Sequence, residues 1–556
     1  MSFQSQLRSW LIGKPLDPLN QETRRSIALM AFFAWVGLGA DGISSSNYGP
    51  EQAFRALGEH TDLGLYLALA TAITVFIIAL AYNQVIELFP TGGGGYRVAT
   101  KLIGPYAGLV SGAALVLDYM LTIAISVASG VDALFSLLPV GLQEHKLAAE
   151  IGLIVLLIVL NLRGMKEVIT VLLPIFLGFI ITHAFLIIYG IGAHADNLPQ
   201  LIPATLGETR SLAGQLGWAH VAAFMLLAYS QGGGTYTGLE AVSNNVNVLA
   251  EPRVRTGKIT MLYMALSLAF TAGGIILLYL LWDARPVEGQ TLNAVVFGDI
   301  IAHLGWDPWL TKAALWTVLA LEGGLLFVAA NTGFLGGPAV LSNMAGDSWV
   351  PHKFRYLSTR LVTENGILVM GVAALGILIW TGGSVSLLVI LYSVSVFLTF
   401  AISLYGLCVY WWRHRAEHGH WIRRLALSAA GFIVCSVILA LLLVEKFAEG
   451  GWLTALIIAA ITGICLSIRN HYNWTREQIR KVDEIFANQP FGSVTNAPKP
   501  DPSLPTAVFM VGSSRGGGLH ALLAQPLHLL GHRPDLIRVD LRQLEQRVGG
   551  AADVLH

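Results

Sequence analysis

Charge is scarce in this chain. Of its 556 residues only 12% are Asp, Glu, Lys or Arg, while 54% are apolar, so a water-soluble body of this size would lack the polar surface to cover itself. Cysteine is scarcer still. Cys408, Cys435 and Cys465 all fall in hydrophobic runs, which supports neither a disulfide framework nor a zinc site and makes them packing residues. Basic and acidic residues balance at 34 each, and no basic stripe suggests nucleic acid. There is no Walker loop and no nucleophile beside a base at a recognisable motif, which argues against an enzyme and against ATP-driven work. No cofactor is expected. No cleavable leader is expected: residues 1–26 are polar, with Pro15 and Pro18 where an apolar core would stand, so the first hydrophobic span is expected to be its own insertion signal.

Long apolar runs take the place of what is lacking. A window of about 20 residues predicts twelve transmembrane helices, near 27–49, 64–88, 106–137, 148–162, 168–192, 218–243, 259–282, 311–340, 366–381, 385–411, 425–444 and 451–468. With the N-terminus inside, most of the Lys and Arg outside the spans fall on the cytoplasmic side, among them Arg97, Lys101, Arg253, Lys258, Arg413 and Arg424. That asymmetry obeys the positive-inside rule and predicts both termini in the cytoplasm of a cytoplasmic (inner) membrane protein.

Two of the spans are interrupted where a membrane helix should run unbroken. The first break covers Gly39 to Glu51 and contains Asp41, three serines, Asn47, Tyr48 and Gly49-Pro50; the second covers Gly232 to Glu240, with Thr235, Tyr236 and Thr237. Backbone that leaves the helix inside a bilayer must line a cavity or be buried in protein, because unsatisfied amides in hydrocarbon cost several kcal/mol. Paired breaks in the two halves of a hydrophobic chain point to a central substrate site of a transporter.

Past Ser467 the composition turns polar. Residues 1–26 are expected to be a cytoplasmic segment, 27–468 the transmembrane domain, 469–505 a cytoplasmic helix and linker, and 506–556 a small α/β tail built of strand 506–511, a Gly-rich turn 512–518, helix 519–530 and strand 536–540. The turn could cradle a phosphate but is neither a Walker loop nor a full GxGxxG. One strand-helix-strand unit is too small to fold alone, so the tail is expected to lie on the membrane domain or on another copy, as a homodimer.

Local motifs narrow the class. Phe89-Pro90-Thr91-Gly92-Gly93-Gly94-Gly95-Tyr96, Asn161-Leu162-Arg163-Gly164-Met165-Lys166 and Ser342-Asn343-Met344-Ala345-Gly346-Asp347-Ser348-Trp349-Val350-Pro351 accompany the two breaks. Over residues 25 to about 468 this set resembles the amino acid, polyamine and organocation (APC) superfamily. The resemblance implies an all-α membrane fold with a five-plus-five inverted repeat, spans 1–5 and 6–10, with broken helices 1 and 6 and two additional helices. In amino acid permeases of that superfamily the first unwound segment is uncharged, so that free amides can receive the substrate carboxylate. Here Asp41 stands there, which would repel a carboxylate and suits a bare cation. The stretch 41–51, together with Asp118-Tyr119-Met120-Leu121-Thr122-Ile123-Ala124-Ile125-Ser126, is similar to the potassium uptake permeases of the KUP family, in their KimA-type bacterial branch.

The resemblance implies that Asp41, Tyr48, Tyr119, Thr122, Ser126, Thr237, Glu240 and Tyr392 lie along a potassium path, with Asp118 adjacent. Spacing agrees with it: Tyr119, Thr122 and Ser126 are three and then four residues apart, on one helical face. Replacing the water of a large monovalent ion needs several neutral oxygens and at most one or two carboxylates. Asp41 and Glu240 are the candidate proton carriers, since burial disfavours a charged carboxylate and a bound cation favours it. The expected function is proton-coupled potassium uptake by alternating access, with potassium, protons and lipid as partners. Its rivals are a permease for amino acids, cationic amino acids or polyamines, and a non-transporting sensor.

Each residue also has a plainer reading. Asp41 could cap the half-helix after the break; Tyr48 and Tyr392 could belong to an interfacial belt; Thr122 and Ser126 could bond back to their own helix or across to a neighbour; Asp118 could be structural. Glu322 has no motif match and could bond a neighbouring helix. His183 and His220 lack metal spacing and are read as polar packing or interface residues.

Overall fold

A computed structural model describes residues 29–163, 166–417 and 419–487; the predicted tail, with its strands, Gly-rich turn and contact to a second copy, lies outside them, as do residues 1–26 and Gly164-Met165. Two compact units divide at Leu466 and Ser467. The first holds the hydrophobic body, and the described part of the second continues the last helix.

The described residues are mostly helical. In chain order the principal helices are α1 Ala31–Ser44, α2 Gly49–Arg55, α3 Gly64–Leu88, α4 Pro105–Phe135, α5 Lys146–Arg163, α6 Lys166–Ala193, α7 Leu198–Leu216, α8 Trp218–Gln231, α9 Ala241–Asn244, α10 Arg253–Leu281, α11 Leu292–His303, α12 Pro308–Gly346, α13 Glu364–Thr381, α14 Val385–Arg413, α15 Trp421–Glu445 and α16 Trp452–Ala487. Ten of these segments are long and apolar enough to cross a bilayer. The predicted spans 27–49 and 218–243 are not among the ten, because each is in pieces. Helices α7 and α11 were not predicted; α7 is too polar to register as a span, and α11, with 12 residues, too short.

Local chemistry sets several boundaries. Pro105 and Pro308 open α4 and α12, where the missing N–H costs nothing. Thr291 caps α11 by accepting from the Ala294 amide at 3.2 Å. Gly382, left-handed, ends α13.

Helix α4 is the axis of the body: it is buried along nearly its whole length. Its closest neighbour is α12, and the two backbones meet at glycines. A β-carbon on Gly323 would stand 2.9 Å from the Gly130 carbonyl oxygen, and one on Gly130 3.2 Å from that of Gly323, the small-residue contact by which membrane helices approach. By contrast α3 exposes Leu69, Ile73 and Leu80, a face suited to lipid. Among the described residues there is no strand beyond one isolated bridge, in which Leu29 donates to the Val248 carbonyl and accepts from the Ala250 amide, at 2.9 and 2.8 Å. That bridge ties the chain entering α1 to the chain leaving α9.

Candidate functional site

The two interruptions differ in kind. Helix α1 runs to Ser44, tightens into a 3-10 turn over Ser45–Asn47, turns at Tyr48 and resumes as α2. Helix α8 ends at Gln231; Gly232–Tyr236 form a 3-10 stretch, Thr237 is extended and Gly238 left-handed before α9. Asp41 was expected in the unwound segment, but it lies in the last turn of α1. Three hydroxyls explain the longer helix: Ser44, Ser45 and Ser46 donate to the carbonyls of Asp41, Gly42 and Ile43 at 2.8, 2.6 and 2.7 Å, satisfying acceptors that a break would free. The capping alternative for Asp41 is not realised, since its side chain bonds no amide.

The breaks touch. Ser45 Oγ also lies 2.6 Å from the carbonyl oxygen of Thr235, and Tyr48 Oη lies 3.4 Å from Thr237 Oγ1. Thr237 itself donates to the Gly234 carbonyl at 3.0 Å.

Around this crossing the structure gathers Asp41, Asp118 and Glu240, three buried carboxylates within Coulombic reach of one another and of the hydroxyls of Tyr48, Tyr119 and Tyr392. Both oxygens of Asp41 lack a hydrogen-bond partner, as do Asp118 Oδ1 and Glu240 Oε2. Thr332 stands beside Asp41, outside bonding geometry, and donates instead to the Ala329 carbonyl at 2.7 Å. Ser395 faces Asp118, and Glu240 lies against the amides of Gly238 and Glu240. No Lys or Arg forms an ion pair with any of the three among the described residues. Three carboxylates without a matching positive charge are costly in a low-dielectric interior unless protons or cations join them. The arrangement can therefore bind and release small cations.

The face of α4 is divided in use. Thr122 lies 2.9 Å from Tyr392 Oη and 3.0 Å from the Asp118 carbonyl oxygen, so the back-bonding reading holds for Thr122 alongside the contact across to α14. Ser126 Oγ makes no such bond and is buried without a partner. Tyr119 Oη accepts from Asn244 Nδ2 at 2.6 Å. Tyr48 and Tyr392 are buried, which excludes an interfacial belt for both. His183 stacks on Phe179 with ring centroids 3.7 Å apart, as polar packing, whereas His220 is exposed. Glu322 does bond a neighbouring helix, accepting from Asn293 Nδ2 at 3.1 Å. The cysteines are free thiols.

Sequence reasoning missed Thr332 and Asn244. Asn244 falls four residues after Glu240, a spacing that could have flagged it; Thr332 sits in an apolar run with no motif to mark it.

Two cavities approach this cluster from opposite ends of α1. One, of about 450 Å³, is lined by Asn47, Tyr48, Glu51, Ser129, Asp132 and Glu322 among others; the second, of about 370 Å³, by Gly37, Leu38, Asn161, Asn244, Asn245 and Asn331. Asp41, Asp118, Tyr119, Thr122, Ser126, Thr237, Glu240 and Tyr392 line neither.

A family model described as an amino acid permease matches residues 27–472. The chain belongs to the amino acid permease family. It is similar to the potassium transporter KimA of Bacillus subtilis (strain 168), 29% identical over 484 residues that cover 86% of this chain and 76% of that protein. It is also similar to the branched-chain amino acid permease BcaP of Lactococcus lactis subsp. cremoris (strain MG1363), 24% identical over 328 residues, 55% of this chain and 66% of that protein. This permease is a KimA-type member of the APC superfamily, a multi-pass membrane transport protein and not an enzyme.

Proposed function

We propose that the permease takes up potassium together with protons, as a K+/H+ symporter working by alternating access in the cytoplasmic membrane. One observation carries the reading: three buried carboxylates share one region with tyrosine, threonine and serine hydroxyls, and no Lys or Arg among the described residues pairs with them. An amino acid's carboxylate would be repelled there, whereas a bare monovalent ion finds both charge and neutral oxygens. The potassium transporter KimA, similar over 86% of the chain, supports the same substrate.

In this reading the ten long helices and the two broken ones make twelve spans, arranged as a five-plus-five inverted repeat plus two. Both termini face the cytoplasm, so the cavity at Asn47 opens outward and the one at Asn244 inward. Asp41, Tyr48, Asp118, Tyr119, Thr122, Ser126, Thr237, Glu240 and Tyr392 bind the ion, and Asp41 and Glu240 also exchange protons. The domains fall at 1–26, 27–468, 469–505 and 506–556, the last a cytoplasmic tail through which two copies pair.

Similarity to BcaP favours a second reading, an amino acid permease. Rubidium uptake in potassium-starved cells without their own uptake systems decides between them. The symporter requires uptake that a protonophore and Asp41→Asn each abolish; a well-inserted chain that takes up amino acids but no rubidium overturns it.

A further inference from the structure

Beside the central cluster, the cavity at the Asn47 end of α1 contains a second set of buried oxygens without partners. Two of the carboxylates on its wall already have a positive charge: Glu51 pairs with Arg55 at 2.6 Å, and Asp132 pairs with Lys146. Glu322 does not. It is 1% exposed, one oxygen accepts from Asn293 Nδ2, and Oε2 has no partner. The Tyr279 hydroxyl donates to Asn293 Oδ1, which fixes the amide with its NH2 toward Glu322 and holds the carboxylate in place.

Two neutral groups on the same wall are also orphaned. Ser129 Oγ and both polar atoms of the Asn47 side chain are buried without hydrogen bonds. Ser129 and Glu322 each precede one of the glycines, Gly130 and Gly323, at which α4 and α12 meet backbone to backbone, and both side chains line this cavity. Asn47 adjoins Tyr48, whose hydroxyl reaches Thr237 at the central crossing.

We propose that Glu322, Ser129 and Asn47 form a separate monovalent-cation site in this cavity, where an ion waits before it passes Tyr48 to the central carboxylates. One carboxylate with an amide oxygen and a hydroxyl suits a single positive charge; a divalent ion would call for more acidic ligands. The direction of passage rests on the transport reading above, but the binding site does not.

Rubidium binding to the purified full-length protein, measured by equilibrium dialysis, tests it. Asp41→Asn should keep a bound rubidium that the double variant with Glu322→Gln loses, or binds about tenfold more weakly, near 1.4 kcal/mol; Ser129→Ala should act in the same direction. The Gln side chain still accepts from Asn293, so the fold is expected to persist. In cells, Glu322→Gln alone should raise the potassium concentration for half-maximal uptake severalfold and leave the maximal rate near its original value. Asp41→Asn protein that binds no rubidium, or whose binding Glu322→Gln and Ser129→Ala leave unchanged, overturns the proposal and leaves Glu322 holding a proton. Should Asp41→Asn bind as much rubidium as the unaltered chain, the central site fails instead, and Glu322→Gln alone still decides this one.

Discussion

Gly238 and Gly42 meet backbone to backbone at the crossing of the two interrupted helices. A β-carbon on Gly238 would lie 2.8 Å from the Asp41 carbonyl carbon and closer still to the Gly42 nitrogen, and its φ of +80° is left-handed. Gly238→Ala therefore combines a left-handed penalty of about 1–2 kcal/mol with overpacking of about 1–3 kcal/mol. We expect the variant to lose rubidium uptake and to melt several degrees lower in detergent. Unchanged uptake would mean that the crossing separates without cost.

Glu240 and Asp118 should be distinguishable. Glu240 lies beside the irregular backbone of the second break, whereas Asp118 is in unbroken α4 next to Ser395. Glu240→Gln is expected to remove the stimulation of uptake by an inward proton gradient while rubidium still binds. Asp118→Asn should weaken binding and leave the remaining uptake dependent on protons. Uptake by Glu240→Gln that still follows the gradient would exclude it as a proton carrier.

Tyr392→Phe removes the hydroxyl 2.9 Å from Thr122 and leaves the buried ring in place. Thr122 keeps the Asp118 carbonyl as its acceptor, so the loss should be near 1 kcal/mol. That appears as a few-fold higher half-saturation for potassium with an unchanged melting temperature. A residue that only fills space would give wild-type uptake.

Glu87, at the end of α3, pairs with Lys258 of α10 and with Arg424 of α15, whose guanidinium lies 4.8 Å from the Trp411 ring centroid. The Glu87 side chain is a quarter exposed. Exposed pairs are screened by salt, so Glu87→Gln should lower the melting temperature modestly in dilute buffer and hardly at all at high ionic strength. An equal loss at both would point to packing rather than charge.

Much of the fold was legible because hydrophobic runs set helix lengths directly. Helices α3, α10 and α14 were predicted within a few residues of their ends or with only the amphipathic entry missed, and the two breaks stood out as Gly, Ser and Asp where apolar residues should be. The position of Asp41 was not legible. Helix length there depends on three serine hydroxyls bonding to carbonyls of the preceding turn, and serine's ordinary preference is for turns. Nor could spacing reveal that Thr122 reaches Tyr392, 270 residues away. The unpartnered Glu322 was hidden for the same reason: Asn293, which bonds it, and Ser129, which lines the same cavity, come from separate parts of the chain.

The cavities of about 450 and 370 Å³ at the two ends of α1 are both wide enough for water and lined by polar groups. The insulating part of the protein is then the packed layer between them, which holds Asp41, Asp118 and Glu240. With the cavities open to opposite sides, as the proposed reading has them, the membrane voltage would fall over that layer rather than over the roughly 30 Å of the hydrocarbon. On the proposed path, each positive charge crossing it would gain about 2.3 kcal/mol per 100 mV, within a few side-chain lengths, so an electrode should register a step past Tyr48 and Asp41 as current.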